Sequence, residues 1–357
     1  MGTLHIFNPE HDIALAANLS NFTAPHAGRK LRADLGFLPA LWADDEEDAV
    51  VVDSVEQARK SYSRLRARVG GCEPLFVDKS QLSQLHFTEV KPWGWDLALR
   101  SFLLRYGVSA CPSETEIAQI RELSHRRYAM TLLKRLQLPG TIGHSELCDT
   151  IAGVHTFLRE YQNIVVKAPW SSSGRGIRFI DGILSDSLER WIGNVIDRQG
   201  CVMLEPYYHK VKDFGMEFES DGQGHVSYLG LSLFHTRNGA YTGNVIATEE
   251  DKQEMLSRFV NADRLSMVRD RLCEALGETF GHHYAGPLGV DMMVVASPPV
   301  SGAPAGDHFL LHPCVEVNLR RTMGHVALAI KPFMDGFPRV MQIQLTDRYR
   351  IQIRKQR

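Results

Sequence analysis

Residues 164–180 read IVVKAPWSSSGRGIRFI, two apolar runs around a Ser/Gly/Arg turn, with Lys167 at the end of the first run. A lysine beside glycines suggests phosphate, but in the best-known phosphate loop the lysine closes the glycine run and a helix follows. Here the lysine comes first and a second strand-like run follows, so the spacing predicts a hairpin. Ser171, Ser172, Ser173, Gly174, Arg175 and Gly176 could close over a phosphate, offering hydroxyls and backbone N–H groups that only small residues allow to approach. Lys167 and Arg175 would set positive charge beside the same oxygens. Taken alone, the segment also reads as an ordinary glycine turn.

The far end of the chain constrains that reading. LGVDMMVVA places Asp291 on a strand, and HFLLHPCVEVNLR places Glu316 and Asn318 on another at i and i+2. Period-two geometry aims Glu316 and Asn318 at one face, and across a hairpin Asp291 can share that space. Two carboxylates and an amide form an all-oxygen set suited to a hard cation such as Mg²⁺ (or Mn²⁺) carried with phosphates. The acids could equally lie on a solvated face, bonded to arginines such as Arg320.

Between these ends, SETEIAQIRELSHRRYAMTLLKRLQLPG predicts two helices behind a Ser/Thr start with acids in the first turn. A helix at SDSLERWIGNVIDRQG and the strand CVMLEPYY follow. DFGMEFES, DGQG and HVSYLGLSLFHT read as a hairpin, and a helical stretch runs from about 249 to 280. Ahead of all this, LHIF, AVVVD, PLFVD and GVSACP are strand candidates of an α/β lobe, and PWGWDLALRSFLLRYG is a helix stopped by Gly107.

A lysine-plus-glycine hairpin, an apolar strand ending in an acid (VMLEPYY) and a late D…E-x-N, in that order, resemble the ATP-grasp superfamily over about residues 113–330. The resemblance implies an α/β fold: an N-terminal Rossmann-like lobe (1–115), a lid subdomain (116–205) and a C-terminal subdomain carrying the Mg²⁺ site (206–345), the last two closing on ATP. It implies that Lys167 and the 171–176 loop cover the phosphates, and that Glu205, Pro206, Tyr207 and Tyr208 form the hinge reading adenine. Asp213 or Glu217 would reach the ribose, and Asp291, Glu316 and Asn318 match the metal ligands. The family's earlier phosphate lysine falls on SHR, passing the role to Arg126. Arginine keeps the charge but presents it as a fork rather than a point. Arg320 would neutralise charge between the γ-phosphate and an incoming nucleophile, and Arg237 would line the acceptor side.

The resemblance implies an ATP-dependent ligase that activates a carboxylate as an acyl-phosphate and joins it to an amine or thiol. The alternatives are a small-molecule kinase on the same fold and a non-catalytic nucleotide-binding module. Substrate candidates are Asn8, Glu10, His11 and Asp12, which follow the first strand where α/β sheets place ligands, together with Tyr241, Asn244 and His325. Asp12 also reads as a cap of the next helix, and Tyr241 and Asn244 as turn residues.

The bulk numbers are compatible. The chain has 357 residues, 44% hydrophobic and 23% charged, which predicts two or three globular lobes. A formal net charge of −2 supplies no basic field for nucleic acid, and no apolar run is long enough to span a bilayer. Without a secretory h-region at the N-terminus or a C-x-x-C pair among the six cysteines, the expectation is a cytoplasmic protein with reduced thiols. A homodimer is the expected assembly, because dimers are the commonest oligomers.

Overall fold

Alternation of buried and exposed residues along the predicted strands resolves into four sheets in the computed structural model, which describes residues 2–171, 176–237, 240–297 and 308–355. The first is parallel, in the order β3-β2-β1-β4, from β1 (Thr3–Ile6), β2 (Ala49–Val51), β3 (Leu75–Val77) and β4 (Glu89–Pro92). Its fourth place was expected for GVSACP. The structure gives it to Glu89–Pro92, where Val90 is buried between outward Glu89 and Lys91, and leaves 108–113 as the irregular run into the next helix. There Ser113 and Glu116 form a capping box, so this stretch serves as a helix entry.

The second sheet, β5-β8-β6-β7, is antiparallel, built from β5 (Glu146–Cys148), β6 (Asn163–Lys167), β7 (Ile177–Asp181) and β8 (Val202–Pro206). The opening hairpin is thus β6–β7, with Lys167 paired to Ile177. Ile164, Val166, Ile180, Val202 and Leu204 pack one face against the helices Ile151–Tyr161 and Asp186–Gln199. Lys167 belongs to the other face.

The remaining strands are β9 (Lys210–Asp221), β10 (Val226–Ser232), β11 (Phe234–Arg237), β12 (Ala240–Ile246), β13 (Ala285–Ala296), β14 (Phe309–Asn318), β15 (Arg339–Leu345) and β16 (Tyr349–Lys355). They form two antiparallel sheets, β10-β9-β13-β14 and β11-β12-β15-β16. The run HVSYLGLSLFHT, which reads as one strand, is divided at Leu233 between these sheets. Phe214, Met216 and Phe218 on β9 turn inward onto the helix Ala262–Phe280 and the helices Glu114–Leu123 and Arg127–Arg135. The intervening residues of β9, Asp213, Gly215 and Glu217, face the opposite way, toward the cleft.

The β11–β16 sheet packs on the N-terminal lobe: Ile246, Met341 and Ile353 share a core with Phe7, Leu38 and Tyr62. The chain's end is thereby tied to its beginning. Among the described residues no helix is long and apolar enough to cross a membrane.

Leu276 lies at 0% exposure in the largest core. Leu276→Ala removes apolar contacts and leaves a cavity, with an expected loss of about 2–5 kcal/mol. A urea unfolding curve checks this: the midpoint falls while the slope stays constant.

Candidate active site

Cross-strand register assembles the acids. Asp291 on β13 stands opposite Glu316 on β14, and Gly289 opposite Asn318. Side chains of a cross-strand pair share a face, so Asp291, Glu316 and Asn318 converge. Asn318 Nδ2 donates to Asp291 Oδ2 at 3.2 Å. Burial, with the Glu316 charge added to it, pushes the Asp291 carboxyl up to about 7. A cation between these oxygens would relieve that repulsion, which is the sense in which the donor set fits Mg²⁺. Among the described residues no three His, Cys, Asp or Glu side chains gather as a metal cluster, so Asn318 is needed to complete the set.

Two arginines border the acids. Arg126 donates to Glu316 Oε1 at 2.6 Å, to Ser171 Oγ at 2.8 Å and to Ala168 O at 2.5 Å. One guanidinium therefore joins the start of the glycine loop to the acid pair, and the fork of an arginine makes three such contacts possible where a lysine's single ammonium is less directed. Arg320 grips both oxygens of Asp12 at 2.7 and 2.8 Å and donates to Asn318 Oδ1 at 2.8 Å. Burial disfavours its charge, but Asp12, Glu316 and Asp291 outweigh burial and hold it firmly protonated. The solvated-face alternative paired Arg320 with the acids; in the structure Glu316 is bonded by Arg126, and Arg320 reaches Asp12 instead.

Lys167 arrives from the other sheet. Its Nζ lies 2.6 Å from Glu205 Oε2 and donates to Val315 O at 3.4 Å, one residue from Glu316. The β6–β7 hairpin thus lies against the strand that carries Glu316. Gly176 needs its missing side chain, because a Cβ there would lie 2.3 Å from Ser171 Cβ. Ser172, Ser173, Gly174 and Arg175 lie outside the described residues, as does the side chain of Arg237. Along 205–208, the expected hinge, Glu205 is held by Lys167, Pro206 pairs with Ile164, Tyr208 packs edge-on to His312 at 5.5 Å, and Tyr207 is exposed. Tyr207 touches Phe179, which is 66% exposed on the Lys167 face of its sheet. An exposed aromatic pair beside the hinge offers a surface for a flat ring. Phe179 was missed in the sequence because one phenylalanine in an apolar run carries no sign of which face it takes.

Of the two ribose candidates, Asp213 sits near the surface of the cleft, bonded by Lys210 and Thr236. Glu217 is instead buried, and a Cβ at Gly324 or Gly289 would lie 1.9 or 2.5 Å from its carboxylate oxygens. Desolvation raises it to about 8.

Several substrate candidates are corrected. His325 is walled in: its Nδ1 accepts the Thr322 N–H at 3.1 Å and stands 3.0 Å from Glu217, while Nε2 faces Phe218 O at 3.3 Å. It belongs to a helix cap. Asn8 spends its amide on Gly94 O (2.8 Å) and Asp96 (3.2 Å), and buried His11 lies against Gly94 and Asp96, so both fasten the β1 turn to β4. Asn244 is also buried, linking Tyr241 to Ser232 at 2.5 and 2.9 Å. Asp12 is no cap, since the helix His11–Ala17 is entered from Glu10. Glu10 is buried beside Arg32.

No family model matches the chain, and no curated protein matches it. Solved structures do. The biotin carboxylase domain of 2-oxoglutarate carboxylase from Hydrogenobacter thermophilus, in complex with MgADP, ADP and bicarbonate, is 12% identical with a TM-score of 0.52, covering 96% of this chain and 74% of that one. A biotin carboxylase–β,γ-ATP complex from Campylobacter jejuni is 13% identical with a TM-score of 0.51, covering 96% and 75%. At such identity the likeness is one of fold, and the fold of this chain is that of the ATP-grasp proteins.

Buried His125, beside Arg126, supplies a check on the site's packing. Its Nδ1 accepts the Arg127 N–H at 3.0 Å. Burial, then Arg121 and Arg126, lower its pKa to about 4. An unfolded chain takes this proton near 6.5, which the folded chain refuses until about 4, so stability falls as pH drops through that window. His125→Gln keeps an acceptor without the charge. Unfolding curves at pH 6.5 and pH 4 should show the variant losing less stability than the wild type, by up to about 3 kcal/mol.

Proposed function

We propose that the protein is an ATP-dependent ligase that activates a small-molecule carboxylate as an acyl-phosphate and transfers the acyl group to an amine or thiol, with release of ADP. The observation that carries this reading is the meeting of Lys167 with the Asp291–Glu316–Asn318 set, joined by Arg126 between Ser171 and Glu316. Phosphoryl transfer asks mainly for positioning and positive charge, and these side chains supply both. The fold shared with biotin carboxylases crystallised with ADP or β,γ-ATP adds support.

In this reading Asp291, Glu316 and Asn318 hold Mg²⁺, which neutralises phosphate oxygens when bound. Lys167 gives up Glu205 and Arg126 gives up Glu316 as each turns to the nucleotide's phosphates. A substrate carboxylate oxygen then forms a bond to the γ-phosphorus while the bond to the ADP oxygen breaks. Arg320, held in plane by Asp12, faces the charge that builds between them. In the second half the amine lone pair attacks the acyl carbon, phosphate leaves with the C–O bond pair, and the amine loses a proton. Tyr207 and Phe179 take the base, and Asp213 the ribose.

Hydroxylamine tests the intermediate. With ATP, Mg²⁺ and a pool of carboxylates, the expected product is a hydroxamate formed in step with ADP. Stable phosphoester without hydroxamate would instead identify a kinase.

The metal assignment has its own check. Asp291→Asn with Glu316→Gln should cut turnover by at least about a hundredfold, the scale of losing one electrostatic contributor to a transition state. The remaining activity should respond less to Mg²⁺ concentration. Wild-type rates in the double variant would remove these residues from the site.

A further inference from the structure

The ligase chemistry leaves one buried acid without a task. Glu217 lies on β9, 3% exposed, in a space that Gly289 and Gly324 keep open for its carboxyl. The one basic side chain within ion-pair distance of it, among the described residues, is His325, with Nδ1 3.0 Å from Oε2. That nitrogen accepts the Thr322 N–H at 3.1 Å, so it carries no proton. The ring's hydrogen sits on Nε2, which faces Phe218 O at 3.3 Å. Burial, then the charge of Arg321, pushes the imidazole down to about 3, so at neutral pH His325 has no charge to lend.

An ionised Glu217 would turn a charged oxygen toward a nitrogen that has no hydrogen to give, and no donor among the described residues reaches that oxygen. A buried carboxylate oxygen without a donor is costly, and a proton on it removes the cost. Burial accordingly pushes this carboxyl up to about 8 and the Asp291 charge adds to burial, while the Thr322 and Ser232 hydroxyls and the Arg320 charge offset only part. Thr322 ties the acid to the reaction centre. It caps the helix Met323–Leu328 and stands two residues after Arg320. Arg321, between them, donates its N–H to Trp93 O at 2.8 Å. The run 320–322 is thus pinned at its middle and its end, while Arg320 reaches Asp12 from its start. A carboxylate at 217 would pull on Arg320 in competition with Asp12. A neutral acid does not.

We propose that Glu217 works as a neutral carboxylic acid and is a positioning residue for Arg320: the protonated side chain holds Thr322 in place, and its missing charge leaves Arg320 to Asp12. The positioning role rests on the ligase reading, through the task given there to Arg320. The proton on Glu217 does not.

Infrared spectra of the full-length protein at pH 7 test the proton. The wild type should show a protonated-carboxyl C=O band that shifts when glutamate is isotope-labelled and is missing from Glu217→Gln. Labelling glutamate alone sets Asp291 aside. Absence of the band overturns the proposal. Positioning is read from the Arg320 Nε–H resonance, assigned by its loss in Arg320→Lys: Glu217→Gln should leave it in place and Glu217→Ala should displace it. The reverse pattern, or no displacement in either, removes the positioning role. In the ADP-forming assay with ATP, Mg²⁺, hydroxylamine and the carboxylate pool, Glu217→Gln should keep turnover near the wild-type value. Glu217→Ala should lower kcat by about a hundredfold, the scale of an ångström misplacement, with KM for ATP nearly unchanged. In an Arg320→Lys background Glu217→Ala should cost nothing further, because both act through one group. Equal losses in the two Glu217 variants, or additive losses in the double variant, overturn the role. If the urea midpoint of Glu217→Ala collapses, Thr322→Val replaces it, removing the same contact from the other side. Should no ADP form while the band and the resonance behave as expected, the ligase reading falls and the neutral acid that orients Arg320 stands.

Discussion

A single guanidinium holds the candidate active site together. Arg320 is largely withdrawn from solvent, its side chain 17% exposed, between Asp12 of the N-terminal lobe and Asn318 of the large sheet, and a charge so desolvated is tolerable only when its partners are fixed and complete. Its planar fork matches the two oxygens of Asp12, which gives the contact a direction as well as an energy. The N-terminal lobe is thereby oriented on the floor of the cleft. Asn318, held by Arg320 from one side, presents its amide to Asp291 on the other, and the register of β13 and β14 sets Glu316 beside them.

The resting charges form a closed set. Arg126 satisfies Glu316 and Glu205 satisfies Lys167, so the groups proposed to meet phosphate and metal already have partners. Desolvated acids left alone would neutralise themselves by taking protons, and the Asp291 carboxyl leans that way. An incoming nucleotide with its cation would replace internal partners by equivalent charges of the same sign, so the exchange leaves few charges bare at any stage. The glycines of the cleft serve the same economy of space. Gly289 and Gly324 give room to the Glu217 carboxyl, and that buried acid, with His325 and Thr322, fixes the short helix Met323–Leu328.

How much of this was legible in the chain depends on the range of the interaction. The β6–β7 hairpin was readable, since an apolar run, a small-residue turn and a second apolar run fix both strands locally. The pairing of Glu316 with Asn318 followed from period two. The helix entry at Ser113 followed from its capping box, yet the preceding GVSACP was mistaken for a strand. Whether so short a run becomes a strand depends on a vacant sheet edge, and Glu89–Pro92 held it. The fates of Asn8, His11 and His325 were hidden for a like reason. A polar side chain near a site looks the same in sequence whether its atoms are free for a ligand or spent on a distant backbone group such as Gly94 or Phe218.

The sequence by itself determined most of the elements and the two distant clusters of phosphate-like and metal-like residues, because periodicity, capping and turn chemistry act over a few neighbouring residues. Only the tertiary structure decided that Asp12 meets Arg320 across 308 positions, that Arg126 joins Ser171 to Glu316, and that β15 and β16 close against the N-terminal lobe. Those contacts are set by sheet order and by the packing of separate cores, which depend on the whole chain at once. A cavity in the N-terminal lobe has the same origin: residues just past the ends of β1, β2, β3 and β4 line it, and no one segment contains it.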